Sequence, residues 1–247
     1  IVFDDLTFRY PNANEDSLKQ VSIRIQRGET IGIVGKTGAG KTTLFRQLLR
    51  EYPPSDRGCV MMNHHPIGDY ALAQTRDWIG YVPQDHILFS KTVRENILFG
   101  NPEATDQEIF RVLEMASLKK DIEELPEGLD TLVGESGVTL SGGQKQRVSL
   151  ARALIKNPEI LMLDDSLSAV DGQTEAKIIQ HLKEERQGKT TLIAAHRLSA
   201  VRHADQIIVL ENGKIVEHGD HGTLMKNQEW YASQYQKQQM EGGEYHA

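Results

Sequence analysis

A glycine-rich segment between an apolar run and a helical run constrains this 247-residue chain more than any other feature. Its pattern, G-x-x-x-x-G-K-[ST], extends from Gly35 to Thr42. Residues 30–34 before it are apolar and rich in β-branched side chains, and residues 42–49 after it carry apolar side chains at helical spacing. The segment is therefore predicted to be a P-loop, in which a strand leads through an anion-binding turn into a helix.

The P-loop predicts a site for a nucleoside triphosphate and its magnesium ion. Backbone N–H groups and the helix N-terminus can wrap the phosphates, while Lys41 supplies a positive charge to the outer ones and the Thr42 hydroxyl is placed to hold Mg²⁺. Glycines allow the backbone to approach closely where side chains would block it. The cofactor-binding residues predicted here are Gly35, Lys36, Thr37, Gly38, Ala39, Gly40, Lys41, Thr42 and Thr43.

An apolar run that ends in an acid predicts a further ligand for the magnesium ion. Residues 160–163 are apolar, and Asp164 follows them directly. Mg²⁺ needs a second hard oxygen contact beyond the Thr42 hydroxyl, and a carboxylate at a strand tip supplies one. The alternative is a strand that simply stops at a turn.

A second motif, Leu140-Ser141-Gly142-Gly143-Gln144, allows two interpretations. Ser141 followed three residues later by Gln144 is a capping box at the start of a helix. Capping alone does not require two consecutive glycines, which cost backbone entropy. A glycine-lined helix N-terminus is also a good anion site. The phosphate-contacting residues predicted here are Ser141, Gly142, Gly143 and Gln144.

The order and joint occurrence of these motifs resemble the nucleotide-binding domain of ATP-binding cassette (ABC) proteins, and residues 89–97 are similar to the exporter branch. The resemblance covers nearly the whole chain. It implies an α/β P-loop ATPase with a RecA-like core, an antiparallel β subdomain and a helical signature subdomain. Within a single domain of residues 1–247, residues 1–84 and 157–247 would form the core and β subdomain, and residues 85–156 the helical subdomain.

The resemblance also assigns roles to single residues. Tyr10 matches the aromatic residue that stacks on adenine, although alone it is typical of a strand edge. Gln84 matches the glutamine that approaches Mg²⁺ and links to the transport domain, and His196 the switch histidine that contacts the γ-phosphate; alone, His196 would be a strand-end histidine. Asp165 occupies the position of the acid that polarises the attacking water. The implied catalytic residues are Asp165, His196 and Gln84, and the implied metal ligands are Thr42, Gln84 and Asp164.

Asp165 departs from the family pattern, which has a glutamate there, and its side chain is one methylene shorter. A general base must lie within hydrogen-bond reach of the water, and a displacement of about 1 Å can cost about a hundredfold in rate. The resemblance therefore implies a slow, degenerate site in one half of a heterodimeric, bacterial-type multidrug exporter. In such a pair, residues 141–144 complete the site of a partner cassette that carries the glutamate.

Two other functions stay open. A soluble ABC ATPase of DNA repair or translation is disfavoured because the separation of Lys41 and Ser141 is typical of transporters, and because paired cassettes and basic patches are absent from the sequence. A cassette that binds ATP for regulation without hydrolysing it is compatible with Asp165.

Composition limits the partners and the location. A net charge of −7 disfavours a nucleic-acid partner, which needs a basic face. The single cysteine, Cys59, fits a reducing compartment. No apolar segment approaches the roughly 20 residues that span a bilayer, and the sequence starts at Ile1 within a strand-like run, so we expect a fragment whose membrane part lies elsewhere. The resemblance to exporters implies a location at the cytoplasmic face of the cell membrane, against an exporter's transmembrane domain.

Periodicity predicts most of the remaining elements. Residues 1–8 and 21–26 alternate as antiparallel strands do, residues 59–62 and 79–82 are predicted as short strands, and residues from about 85 to 156 are predicted to be helical. Asn212-Gly213 predicts a hairpin turn, and Asp171 is a good N-cap, although the resemblance also matches residues 168–171 to the family's D-loop. A single polar helix is predicted from about residue 222. The acidic residues 121–135 are expected to be solvated. The resemblance to exporters implies that residues 134–137, just before the Leu140–Gln144 motif, lie near the transmembrane domain.

Overall fold

The computed structural model describes residues 1–135 and 137–243. Ser136, which belongs to the segment expected near the transmembrane domain, lies outside the described residues. The strands, in chain order, are β1 (Val2–Phe8), β2 (Leu18–Arg24), β3 (Thr30–Val34), β4 (Cys59–Met62), β5 (His65–Pro66), β6 (Ile79–Val82), β7 (Lys91–Thr92), β8 (Leu132–Val133), β9 (Ile160–Asp164), β10 (Thr190–Ala194), β11 (Gln206–Glu211) and β12 (Lys214–Gly219).

Helices lie between some of these strands and after the last of them. The α-helices are α1 (Lys41–Leu48), α2 (Leu72–Trp78), α3 (Val93–Leu98), α4 (Asp106–Met115), α5 (Lys119–Glu123), α6 (Gly142–Leu154), α7 (Gly172–Glu185), α8 (His221–Asn227) and α9 (Trp230–Gly243), and short 3₁₀ helices occupy Ile67–Asp69, Gly128–Asp130 and Leu198–Ala200.

A six-stranded sheet of order β12-β11-β3-β10-β9-β6 forms the centre of this α/β fold. Its neighbours pair in parallel except β12, which returns antiparallel through the predicted turn at Asn212-Gly213, where both residues have positive φ. A separate antiparallel sheet has the order β2-β1-β4-β5, as the alternating patterns of the N-terminal segments predict. The carboxyl ends of β3, β6, β9 and β10 therefore meet at one edge of the large sheet.

Apolar side chains cover both faces of the large sheet. In β9, Leu161 and Leu163 belong to one buried cluster, whereas Ile160 and Met162 belong to the other. Because successive side chains of a strand point to opposite faces, the two clusters lie on opposite sides of the sheet. The first cluster includes residues of α4, α6 and α9, and the second includes residues of α1 and the antiparallel sheet.

Three expectations need correction. The single C-terminal helix is wrong: it is interrupted at Gln228, which adopts a left-handed conformation with φ of 56° between α8 and α9. The segment 85–156 is not purely helical, because β7 and β8 pair within it. Asp121 is not simply solvated, because it forms a half-buried ion pair with Arg147 at 2.6 Å.

Candidate functional site

A cleft of about 510 Å³ lies at the edge where the parallel strands end, as expected for ligand sites of open α/β sheets. Its walls bring together the predicted residues Tyr10, Thr37, Gly38, Gly40, Lys41, Thr42, Thr43, Gln84, Asp164, Asp165 and His196. The other P-loop residues, Gly35, Lys36 and Ala39, belong to the loop but are not part of this wall. The signature residues 141–144 are not part of it either.

The P-loop connects β3 to α1 in the way the sequence predicts. Gly35 has a φ of 147°, and a Cβ there would overlap the carbonyl oxygen of Leu210 in β11, so only glycine fits. The ammonium of Lys41 donates to the carbonyl oxygens of Gly35 at 2.8 Å and Lys36 at 3.2 Å. Burial lowers the pKa of Lys41, and the carboxylates of Asp165 and Asp164 oppose that shift. The loop thus presents a buried cation beside two carboxyl groups.

Asp164, at the end of β9, accepts two hydrogen bonds in the cleft. The Thr42 hydroxyl donates to its Oδ1 at 3.1 Å, and the Tyr81 hydroxyl donates to its Oδ2 at 3.1 Å. Burial raises the pKa of Asp164, while these two hydrogen bonds act in the opposite direction. The two predicted metal ligands, Thr42 and Asp164, are therefore in direct contact.

Tyr81 was not identified from the sequence. It lies in β6, which pairs in parallel with β9 so that Tyr81 is level with Met162. Burial, and then the charge of Asp164, raise the pKa of Tyr81, so its hydroxyl stays protonated and donates. The signal that could have found it is a tyrosine at the carboxyl end of a short strand leading to Gln84.

Asp165 and His196 meet across neighbouring strand ends. Asp165 has a φ of 47°, a left-handed conformation in which aspartate is several-fold enriched. Its N–H donates to the Ala194 carbonyl at 2.8 Å, and its Oδ1 accepts the backbone N–H of His196 at 3.3 Å. Asp165, whose side chain is one methylene shorter than that of glutamate, is thus hydrogen-bonded to the backbone of the loop that carries His196.

Tyr10 lies beyond the end of β1, so it is not a strand-edge residue. Its hydroxyl is 2.9 Å from the Thr43 hydroxyl, and its ring makes edge contacts with Phe8 and Tyr52 at 5.1 and 5.2 Å between centroids. The guanidinium of Arg46 lies 5.9 Å from the centroid of the same ring. These contacts hold an aromatic ring at the cleft wall.

The cleft wall includes acidic residues that sequence reasoning missed, among them Asp16. Hydrogen bonds from Arg57 and Arg9 hold the pKa of Asp16 at about 2, so this carboxylate stays ionised at neutral pH. Its partners are distant in sequence or separated by a loop, so no local pattern pointed to it.

The signature residues form the N-terminus of α6. The capping box is present: the Ser141 hydroxyl accepts the Gln144 N–H, and the Gln144 side chain accepts the Ser141 N–H. A Cβ on Gly143 would lie 2.9 Å from the Ala169 carbonyl oxygen, which accounts for a glycine beyond what capping needs. The segment that the resemblance identifies as a D-loop therefore packs against this helix end.

The sequence matches the ABC transporter family over residues 18–168. The chain is 55% identical, over 98% of its length, to a probable multidrug resistance ABC transporter ATP-binding/permease protein, YheI, of Bacillus subtilis, and covers 42% of that protein. It is 46% identical, over 95% of its length, to the multidrug resistance-like ATP-binding protein MdlA of Escherichia coli, and covers 40% of it.

Among solved structures, a bacterial Atm1-family ABC exporter with ATP bound matches with a TM-score of 0.91 and 38% identity. The match covers 96% of this chain and 41% of the exporter chain. The predicted fold class is confirmed by this agreement. No helix within residues 1–135 and 137–243 is long and apolar enough to cross a membrane.

Proposed function

Because the chain belongs to the ABC transporter family as an ATPase cassette, we propose that it binds Mg-ATP in the cleft and that a transporter uses this cassette to export a substrate across a membrane. The observation that carries the proposal is the convergence of the P-loop, Asp164, Gln84 and His196 on one cleft. We also propose that the domain has two lobes, with residues 1–84 and 157–247 in the core and β subdomain and residues 85–156 in the helical subdomain.

The donor set fits a magnesium ion. Mg²⁺ prefers hard oxygen ligands, and the Thr42 hydroxyl and the Asp164 carboxylate lie in contact, with Gln84 on the same cleft wall. Burial raises the pKa of Asp164, and a nearby cation would favour its ionised form. Thr42, Asp164 and Gln84 would hold the ion, and the chemistry that it supplies there is neutralisation of charge on the outer phosphates.

The chain's own groups would orient the nucleotide. Loop N–H groups and the N-terminus of α1 would bind the phosphates, and Lys41 would place its charge on the outer ones. The ring of Tyr10 would stack on adenine, and His196 would contact the γ-phosphate from the end of β10. Asp165 would accept a proton from, or orient, the attacking water.

We propose that hydrolysis at this site is slow. Asp165 is shorter than a glutamate, its backbone is left-handed, and one carboxylate oxygen already accepts the His196 N–H. Reach to a water is therefore reduced, and a shift of about 1 Å can cost about a hundredfold in rate.

A second cassette would complete the assembly. Residues 141–144 are the N-cap and first turn of α6, and Gly142 and Gly143 lie against Ala169, so they present a helix N-terminus that does not contribute to this chain's own cleft wall. We propose that they contact the γ-phosphate bound by the P-loop of a different partner chain, one that carries the glutamate. That pair would have one active and one slow site.

An apolar surface formed by Ile87, Phe89 and Phe99 supports a transmembrane partner. The exposed fractions of Ile87 and Phe99 are 70% and 66%, and the rings of Phe89 and Phe99 lie 4.8 Å apart. Arg152 supports this surface through two contacts: it donates to the Ile87 carbonyl at 3.0 Å, and its guanidinium lies 5.2 Å from the Phe89 ring centroid. The surface follows Gln84 in the chain, so it can link the cleft to its partner.

We propose that an exporter's transmembrane domain covers this surface, which would place the cassette at the cytoplasmic face of the membrane. The relatives with the matching cassette include a protein named ATP-binding/permease, and the chain spans only 42% of its length. A regulatory cassette that binds ATP without turnover is the second candidate, and Asp165 is the observation that favours it.

Replacement of Lys41 by alanine tests the proposed nucleotide site. The change removes a buried cation beside the P-loop carbonyls, so we expect Mg-ATP affinity to fall by about tenfold or more, as for loss of a charge-assisted hydrogen bond. Calorimetric titration measures the affinity. Lys177→Ala, on the exposed face of α7, is the matched control and should bind as the unmodified protein does. Equal ATP affinity in Lys41→Ala and Lys177→Ala would contradict the assignment.

A further inference from the structure

The last helix, α9, contacts the loop that carries His196 through one side chain. The Gln238 amide nitrogen donates to the His196 carbonyl at 2.9 Å, and the Gln238 amide oxygen accepts the Leu198 N–H at 2.9 Å. A primary amide carries a donor nitrogen and an acceptor oxygen on the same carbon, which matches this pair of backbone groups. Gln238 thus forms two hydrogen bonds with the backbone of residues 196–198, one at each end of this stretch.

This stretch of backbone needs such partners because it lies between regular elements. β10 ends at Ala194, and the 3₁₀ helix begins only at Leu198. The His196 N–H donates to Asp165 on one side of the loop, and Gln238 holds the following carbonyl on the other. The peptide groups on both sides of the His196 side chain are therefore held by the side chains of Asp165, which follows β9, and Gln238 of α9.

The start of α9 is held by contacts that do not involve the loop. Tyr231, in the first turn of α9, is fully buried, and its backbone N–H donates to the Glu217 carboxylate of β12 at 3.0 Å. The Tyr231 hydroxyl lies 2.8 Å from Nδ1 of His221 in α8. These contacts anchor the start of α9 and set where Gln238 reaches.

We propose that Gln238 is a positioning residue that orients His196 toward the γ-phosphate. This inference rests on the proposed function, because it assigns Gln238 to the same nucleotide site. Loss of the amide would free the loop and let the imidazole move, whereas the P-loop contacts to the α- and β-phosphates would stay. ATP affinity should therefore fall while ADP affinity stays constant.

Calorimetric titration of the full-length protein with Mg-ATP and with Mg-ADP tests this directly. Gln238→Ala should lower the ratio of ATP to ADP affinity about three- to tenfold, as for loss of one or two hydrogen bonds. Gln238→Glu keeps the acceptor for Leu198 but loses the donor to His196, so it should also lower the ratio. Gln239→Ala, at an exposed neighbouring position of α9, is the matched control and should leave the ratio unchanged.

A double-mutant cycle separates positioning from a general effect on stability. In a His196→Ala background, Gln238→Ala should cause no further loss of the ratio, because it acts through the missing imidazole. Additive losses would overturn the proposal, as would an unchanged ratio in Gln238→Ala or an equal loss in Gln239→Ala.

Amide hydrogen exchange in the nucleotide-free protein gives a second measurement that needs no ATP. The Leu198 N–H should exchange faster in Gln238→Ala than in Gln239→Ala, and equal rates would overturn the proposal. If the unmodified protein binds no Mg-ATP, the proposed function fails. If the unmodified protein binds Mg-ATP but Gln238→Ala does not change the ratio of ATP to ADP affinity, only the role of Gln238 is refuted.

Discussion

In the proposed nucleotide site, different side chains of the cleft would each supply a different kind of contact to ATP. Lys41 and Asp164 contribute opposite charges, both largely buried, and the Thr42 hydroxyl donates a hydrogen bond to Asp164. Tyr10 contributes an aromatic face supported by neighbouring rings. The contribution of each of these side chains to ATP binding can therefore be tested by a single substitution.

Replacement of Tyr10 tests adenine stacking. Tyr10→Ala removes the ring, so ATP affinity should fall about three- to tenfold, whereas Tyr10→Trp keeps an aromatic face and should preserve it. Equilibrium titration with Mg-ATP measures both. Tyr52→Phe, in the same ring cluster but outside the cleft wall, serves as the control. Equal losses in Tyr10→Ala and Tyr10→Trp would instead indicate that the Tyr10 ring serves packing.

The sequence could predict the residues that belong to local motifs. Gly35, Lys41 and Thr42 follow one another along the chain, and the strand and helix around them follow from periodicity. Tyr81 and Gln238 were not predictable in this way, because their partners are 83 and 42 residues away in sequence. Only the pairing of β6 with β9 and the docking of α9 bring them to the site.

At the scale of elements, the docking of α9 depends on a buried acid. Glu217 of β12 accepts the Tyr231 N–H, and its Oε2 has no hydrogen-bond partner within the described part of the chain. Burial raises the pKa of Glu217, and the Tyr231 N–H opposes that shift. The folded protein therefore takes up a proton at a higher pH than the unfolded chain, whose carboxyl group titrates near 4.5.

Glu217→Gln should make stability less dependent on pH. Stability linked to Glu217 is fully present below the unfolded pKa and is lost as the pH rises through the folded pKa. The glutamine keeps an acceptor for Tyr231 without a charge, so the melting temperature should rise at pH 8 and change little at pH 4. Thermal unfolding at both pH values measures this. Glu211→Gln, at an exposed position of β11, should show no such difference, and a lower melting temperature of Glu217→Gln at pH 8 would refute the argument.

The helices also show where local pattern stops being informative. The capping box of Ser141 and the N-cap of Asp171 formed as predicted, because each depends on residues within one turn. The break between α8 and α9 was not predicted. Gln228 is left-handed there, and α9 begins just after it with the Tyr231 N–H bound to Glu217 of β12, a contact that local sequence does not reveal. Asp121 was misjudged for the same reason, since Arg147 lies in another helix.

For the whole molecule, the apolar surface of Ile87, Phe89 and Phe99 should couple the cassette to a membrane partner. Phe99→Asp places a charge in that surface, so ATP-dependent transport by the full-length protein in vesicles should fall at least about tenfold while ATP affinity stays constant. Phe110→Asp, at an exposed position of α4 outside this surface, is the control and should leave both unchanged. Full transport by Phe99→Asp would show that the surface docks nothing essential.

We propose that this cassette binds ATP but hydrolyses it slowly because Asp165 replaces a glutamate, and that it needs a different partner cassette. The single-turnover rate of ATP hydrolysis tests it most directly, compared among the unmodified protein, Asp165→Glu and Asp165→Ala, each alone and with the candidate partner. We predict slow hydrolysis without the partner and a rate in Asp165→Glu higher by about tenfold to a hundredfold. Fast hydrolysis by the unmodified protein alone, unaffected by Asp165→Ala, would contradict both the slow site and the need for a different partner.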